Sequence, residues 1–91
     1  GHTASLIPGD PVCEVQSAEV ALTGVYQNRR RMTLTYPILN RSRHILWVVT
    51  GGEKALMLPR LLAGDPSIPA GPISQSIATL LADAPAAAEL K

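Results

Sequence analysis

His44-Ile45-Leu46-Trp47-Val48-Val49-Thr50-Gly51-Gly52-Glu53-Lys54 is the stretch whose reading decides the fold. Its first seven residues are nearly continuous in apolar side chains, the pattern of a central strand covered on both faces in a parallel sheet. Gly51-Gly52 breaks that strand. Glu53 to Ala63 then reads as a helix, with Ala55, Leu58 and Leu62 on one stripe and Leu56, Met57 and Leu61 widening it. Pro59 falls inside this helix, where it removes a backbone hydrogen bond and is expected to cost about 3 kcal/mol or to kink the axis.

Upstream, Arg31-Met32-Thr33-Leu34-Thr35 alternates cleanly, with Met32 and Leu34 on one face and the arginine and threonines on the other, a half-exposed strand near a sheet edge. Tyr36 to Arg43 reads as a short helix, with Pro37 in its first turn and Arg41 and Arg43 near its end. Val20 to Tyr26 favours a strand, and Gln27 to Arg30 turns the chain. The first twelve residues carry Pro8-Gly9 and Asp10-Pro11 and read as loop, with room for a helical turn at Thr3 to Leu6. Cys13 to Glu19 is too short and mixed to assign and reads as surface.

Downstream, Gly64-Asp65-Pro66-Ser67 stops the second helix, and Ile68 to Ser74 reads as a linker. Ile77 to Leu81 is a further apolar strand, and Asp83 is placed to N-cap a last helix, Ala84 to Leu90, ending at Lys91. From Arg31 onward the order is strand, helix, strand, helix, strand, helix. That order implies an α/β class with a mostly parallel sheet flanked by helices.

The 91 residues suffice for one domain; 46% are hydrophobic and 16% charged, so the chain is apolar enough to fold rather than stay disordered. A net charge of +1 gives no electrostatic case for nucleic acid or an anionic membrane. The apolar run Ile45 to Val49 is far too short to span a bilayer. One cysteine, Cys13, excludes an internal disulfide and points to a reducing, cytoplasmic setting.

The junction after the long strand carries chemistry without reference to any family. Gly51 and Gly52 let the backbone approach a ligand, unpaired N–H groups at the helix start attract anions, and Lys54 adds a full charge in the first turn, which suits a phosphate. A plain tight turn with a solvated lysine has the same pattern, and the spacing is not that of a nucleoside-triphosphate loop. His2 is the other candidate: an imidazole with a free pKa of about 6.5 serves as a general base near neutrality, although a loop histidine also serves simply as a surface residue. Ligands of open parallel sheets sit beyond the carboxyl ends of the strands, which selects the Lys54 end and excludes His44 at the other. Arg29-Arg30-Arg31 lacks interleaved aromatics and reads as a solvated turn rather than a nucleic-acid patch. Cys13 has no base nearby in sequence, and Ser5 lacks the Gly-x-Ser-x-Gly setting of a hydrolase elbow.

Gly1-His2-Thr3-Ala4-Ser5-Leu6-Ile7-Pro8-Gly9 resembles the catalytic loop of the 6-phosphogluconolactonases, Asp-Gly-His-Thr-Ala-Ser-Leu-Phe-Pro-Gly, with Ile7 in place of Phe. Thr50-Gly51-Gly52-Glu53-Lys54-Ala55 is similar to the Thr-Gly-x-x-Lys-Ala motif of that family and of the related glucosamine-6-phosphate deaminases. Arg31 to Asn40 looks like the family's Arg-x-Thr-Leu-Thr strand and following helix, and Ile68-Pro69-Ala70 and Asp83 to Ala87 are similar to its closing segments. The family's Gly-Gly-Ser phosphate loop and Asp-Glu-Arg motif have no counterpart here.

The resemblance implies a Rossmann-like layered fold, of which residues 1–91 form a single C-terminal portion with the N-terminal half of the same fold as its missing partner. It also implies hydrolysis of 6-phospho-D-glucono-1,5-lactone to 6-phosphogluconate, in the pentose phosphate pathway, without metal or organic cofactor. His2 is then the general base, Lys54 binds the phosphate, and Gly1, Thr3, Gly51 and Gly52 contact substrate; of the three arginines in the turn, Arg31 is the one expected to assist the phosphate. Activity is expected of the complete protein rather than of this portion. A sugar-phosphate isomerase or deaminase of the same superfamily is the first alternative, disfavoured because those carry Ile-Ala-Phe where this chain has Thr3-Ala4-Ser5-Leu6. A non-enzymatic module with a relic motif is the second.

Overall fold

A computed structural model describes residues 1–90 and shows a mixed α/β chain. A 3-10 turn at Pro11–Glu14 precedes β1 (Val20–Leu22), β2 (Met32–Leu34), α1 (Tyr36–Asn40) and β3 (Ile45–Val49). A second 3-10 turn at Gly52–Lys54 leads into α2 (Met57–Leu62), and β4 (Ala78–Ala82) follows. The strands form two separate pairs, β1 with β2 antiparallel and β3 with β4 parallel. A single mostly parallel sheet is therefore not what the described residues build. Among them no helix is long and apolar enough to cross a membrane.

The β3–β4 pair runs in register from Ile45 opposite Ala78 to Val49 opposite Ala82. One face meets the core, where Trp47, Val49 and Leu80 pack on buried Leu58, Leu61, Ile68 and Ala70. The other is bare: Leu46, Val48 and Leu81 are 56%, 66% and 54% exposed. Cover on both faces, expected from the apolar run, is thus met on one. The thinnest dimension of 17 Å has room for the sheet and one packed layer, since layers stack about 10 Å apart.

In the β1–β2 hairpin the strands are shorter than expected and joined by a tight turn in which Tyr26 and Arg29 exchange backbone hydrogen bonds at 2.8 and 3.1 Å. Gln27 and Asn28 both have positive φ there, as the type I′ form of a two-residue hairpin turn requires. The alternation of Met32 and Leu34 against the threonines stands, but Thr33 and Thr35 form the buried face. Their hydroxyls are consumed locally: Thr33 Oγ1 accepts from the Ser5 N–H at 3.0 Å and donates to the Leu34 carbonyl at 2.9 Å, and Thr35 donates to the Ala18 carbonyl. Val20, Leu22, Met32 and Leu34 are left as a second exposed apolar strip.

Pro59 does not kink a long helix. The segment splits instead, and α2 starts at Met57, so that Pro59 stands in a first turn whose N–H groups need no intrahelical partner. α1 ends at Asn40 rather than Arg43, with Arg41 beyond its end paired to Glu19. The 3-10 turn at Pro11–Glu14, where loop and unassigned surface were expected, is capped by Asp10, whose Oδ1 accepts from the Val12 N–H at 2.9 Å.

Ile68 to Ser74 is more than a linker, because Ile68, Ala70 and Ile73 are buried in it. The last segment is a series of turns, not a helix. Only the Ala87 N–H to Asp83 carbonyl bond there spans four residues, while Ala88 to Pro85 and Leu90 to Ala87 span three. The proposed end of that helix, Lys91, lies outside the described residues.

Candidate active site

The loop before the first 3-10 turn is held on both sides of His2. The Gly1 carbonyl accepts from the Ala70 N–H at 3.0 Å, the Thr3 carbonyl accepts from the Leu6 N–H at 3.0 Å, and Leu6 is fully buried. A Cβ at Gly1 would stand 2.9 Å from Ile68 Cβ, so only glycine lets the backbone come this close to the core. His2 itself is exposed, on a backbone anchored to the core beneath it.

His2 and Thr3 line a cleft of about 280 Å³ together with Trp47, Thr50, Lys54 and Met57, floored by Leu58, Leu61, Ile68 and Ala70. The cleft opens at the carboxyl end of β3. Its contents are one imidazole, one ammonium, two threonine hydroxyls and an apolar floor, a set able to hold a small polar ligand by its anionic end beside a base. Lys54 is the lysine or arginine side chain that lines the cleft, and Arg60 is not among the lining residues. Arg60 itself is engaged with Asp65, at 2.9 Å.

Gly1, His2, Thr3 and Lys54 are thus brought together. Gly51, Gly52 and Arg31 are not among the residues that line the cleft. Arg31 sits exposed on the hairpin, where its N–H donates to Thr23 Oγ1 at 3.0 Å. Gly51, at φ +92° and ψ 145°, holds a backbone conformation that side chains rarely adopt, yet its N–H does not face an empty anion site. It donates to both carboxylate oxygens of Asp83, at 3.1 and 3.2 Å. Reading Asp83 as an N-cap captured only its bond from the Ala86 N–H, at 2.9 Å. What would have revealed its second role is the β3–β4 register, which sequence alone does not carry. At the opposite end of β3, His44 Nε2 meets Thr79 Oγ1 at 2.9 Å, away from the cleft.

A larger depression of about 580 Å³ lies elsewhere, walled by prolines with Cys13 and Tyr36 among them, and contains neither His2 nor Lys54. Burial, then Asp10 and Glu14, pushes the Cys13 thiol pKa up; burial, then Cys13, pushes Tyr36 to about 12. Both groups are protonated at neutral pH and supply neither nucleophile nor base.

Residues 1–81 match the family described as glucosamine-6-phosphate isomerases/6-phosphogluconolactonase. The chain is 41% identical over 64 residues to the 6-phosphogluconolactonase of Rattus norvegicus, covering 68% of this chain and 25% of that protein. It is 40% identical over 63 residues to that of Chlamydia muridarum and 38% over 66 residues to that of Homo sapiens, each with the same two coverages of 68% and 25%. It therefore spans about a quarter of the length of these curated relatives. No solved structure matches it. With a match that runs from the loop of His2 through the hairpin, β3 and the turn of Lys54 into β4, the chain belongs to the glucosamine-6-phosphate isomerase/6-phosphogluconolactonase family.

Proposed function

We propose that the protein carrying this chain hydrolyses 6-phospho-D-glucono-1,5-lactone to 6-phosphogluconate, a step of the pentose phosphate pathway, in the cytoplasm. The observation that carries the reading is the cleft shared by His2 and Lys54. The relatives quoted above all bear the lactonase name, which favours this reaction over isomerisation or deamination.

In the step, Lys54 holds the substrate phosphate and His2 accepts a proton from water as the water oxygen attacks the lactone carbonyl carbon. Collapse of the tetrahedral intermediate breaks the ring C–O bond, and the imidazolium returns its proton to the departing ring oxygen, leaving a free hydroxyl and a carboxylic acid that releases its remaining proton to solvent as the carboxylate. Gly1 and Thr3 border the substrate beside His2. Gly51 and Gly52 bring the backbone of the Lys54 turn round to it, and Arg31 lies outside the cleft formed by these residues.

The same reading makes residues 1–91 the C-terminal portion of a Rossmann-like layered fold. The strands that make its sheet mostly parallel, and the rest of the phosphate site, then lie in the remainder of the protein. The chain alone is inactive on this view, since positioning supplies much of the rate. His2→Ala in the protein as encoded should cut lactone turnover by about 100-fold or more with folding preserved. Unchanged turnover removes His2 from the mechanism.

A further inference from the structure

We propose that Asp83 is a positioning residue for phosphate binding, acting on Lys54 through the backbone of Gly51. The inference rests on the reading of Lys54 as the group that holds the substrate phosphate. Because β3 and β4 run parallel with Val49 opposite Ala82, the residues that follow the two strands emerge side by side. The Asp83 N–H donates to the Val49 carbonyl at 3.4 Å, continuing the ladder one step past the strands.

From there the Asp83 carboxylate reaches across to the Gly51 N–H with both oxygens, at 3.1 and 3.2 Å, while Oδ1 also receives the Ala86 N–H at 2.9 Å. The Gly51 carbonyl in turn accepts from the Lys54 N–H at 3.1 Å, and the Gly52 carbonyl accepts from the Ala55 N–H at 3.1 Å. Two hydrogen bonds in series therefore connect the Asp83 carboxylate to the backbone of Lys54. Gly51 is the residue in this path with a positive φ, so the conformation of the turn depends on what holds its N–H. Asp83 is exposed and does not line the cleft, hence its effect is on direction rather than on contact. Without the carboxylate, the Gly51 peptide is free to rotate, and the ammonium that the turn carries into the cleft samples a wider arc.

The test is steady-state kinetics on the protein as encoded, with Asp83→Ala, Asp83→Asn, Lys54→Ala and the doubles that combine each Asp83 variant with Lys54→Ala, each also followed by thermal unfolding. Asp83→Ala should raise KM for the phosphorylated lactone about fivefold with kcat within about twofold, since binding of the non-reacting phosphate is weakened uniformly. Asp83→Asn retains one acceptor oxygen for two N–H groups and should show a smaller rise, about twofold. In the doubles the KM rise should not exceed that of Lys54→Ala alone, as expected of residues acting through one another.

A KM unchanged in both Asp83 variants, or a full additive rise in the doubles, overturns the inference while leaving Lys54 as phosphate ligand intact. The Asn variant and its double decide the matter if the Ala variant fails to fold. An active enzyme whose KM is indifferent to Lys54→Ala overturns the phosphate reading itself, and with it the role of Asp83. Loss of thermal stability with no change in KM assigns Asp83 to the fold alone and also overturns the proposal.

Discussion

Thr33→Val tests how the loop that carries His2 is held. Thr33 is 4% exposed and its hydroxyl joins that loop to the hairpin, accepting the Ser5 N–H at 3.0 Å while donating to the Leu34 carbonyl at 2.9 Å; Asp10 Oδ2, which accepts the Gly24 N–H at 2.9 Å, is a second tie. Valine keeps the shape and has a strong preference for strands, so propensity favours the variant. Against that, the Ser5 N–H loses its acceptor in a half-buried position, which costs about 1–3 kcal/mol. The Leu34 carbonyl loses a donor more cheaply, and removing the hydroxyl's own burial returns part of the loss.

The balance is a destabilisation of about 1–2 kcal/mol, a factor of about 5 to 30 in the folded to unfolded ratio. Thr33→Ser keeps both bonds and gives up one methyl, about 0.8 kcal/mol. Urea unfolding of the protein as encoded, followed by Trp47 fluorescence, measures both variants. Lactone turnover should fall further in the Val variant than in the Ser variant, because His2 lies three residues before the released amide. A Val variant as stable as the parent, or more stable than the Ser variant, would refute the assignment of Thr33 as an anchor of this loop.

Two further outcomes are expected. Hydrogen bonds from Ser67 Oγ first, then from Arg60 and the Ser67 N–H, lower the pKa of Asp65 from 3.8 to about 2. A depressed folded-state value contributes stability above the unfolded value and loses it as pH falls through the folded one. Asp65→Asn should therefore flatten the acid limb of stability between about pH 4 and pH 2, and an unaltered limb in acid titration of the unfolding midpoint counts against the cluster. The bare face of the β3–β4 pair should make the isolated 91-residue chain self-associate. Leu46→Lys with Leu81→Lys should then shift its sedimentation toward monomer; a parent chain that is already monomeric and unfolds cooperatively contradicts this.

Much of the element order was legible because short-range chemistry dictates it. The apolar run of β3 needs no partner to be recognised, Gly51-Gly52 ends it for steric reasons, and Pro37 and Asn28 mark a helix start and a turn. Pro59 was legible as a conflict but not in its resolution. Whether a helix kinks or restarts depends on which alternative keeps Leu58 and Leu61 on the core, and that is a packing decision.

The candidate site divides in the same way. Sequence alone determined the chemistry available: an imidazole in a glycine- and proline-bounded loop, and a lysine in the turn after an apolar strand. Only the tertiary structure decided that His2 and Lys54 share one cleft, that Thr33 rather than Met32 faces inward, and that the Gly51 N–H belongs to Asp83. Each of these depends on contacts across tens of residues, 32 in the case of Gly51 and Asp83. Such pairings are set by strand register and by the core that fixes it. Local pattern carries the period of a strand and the residues at its ends; which strand lies beside it is decided by burial of the whole chain.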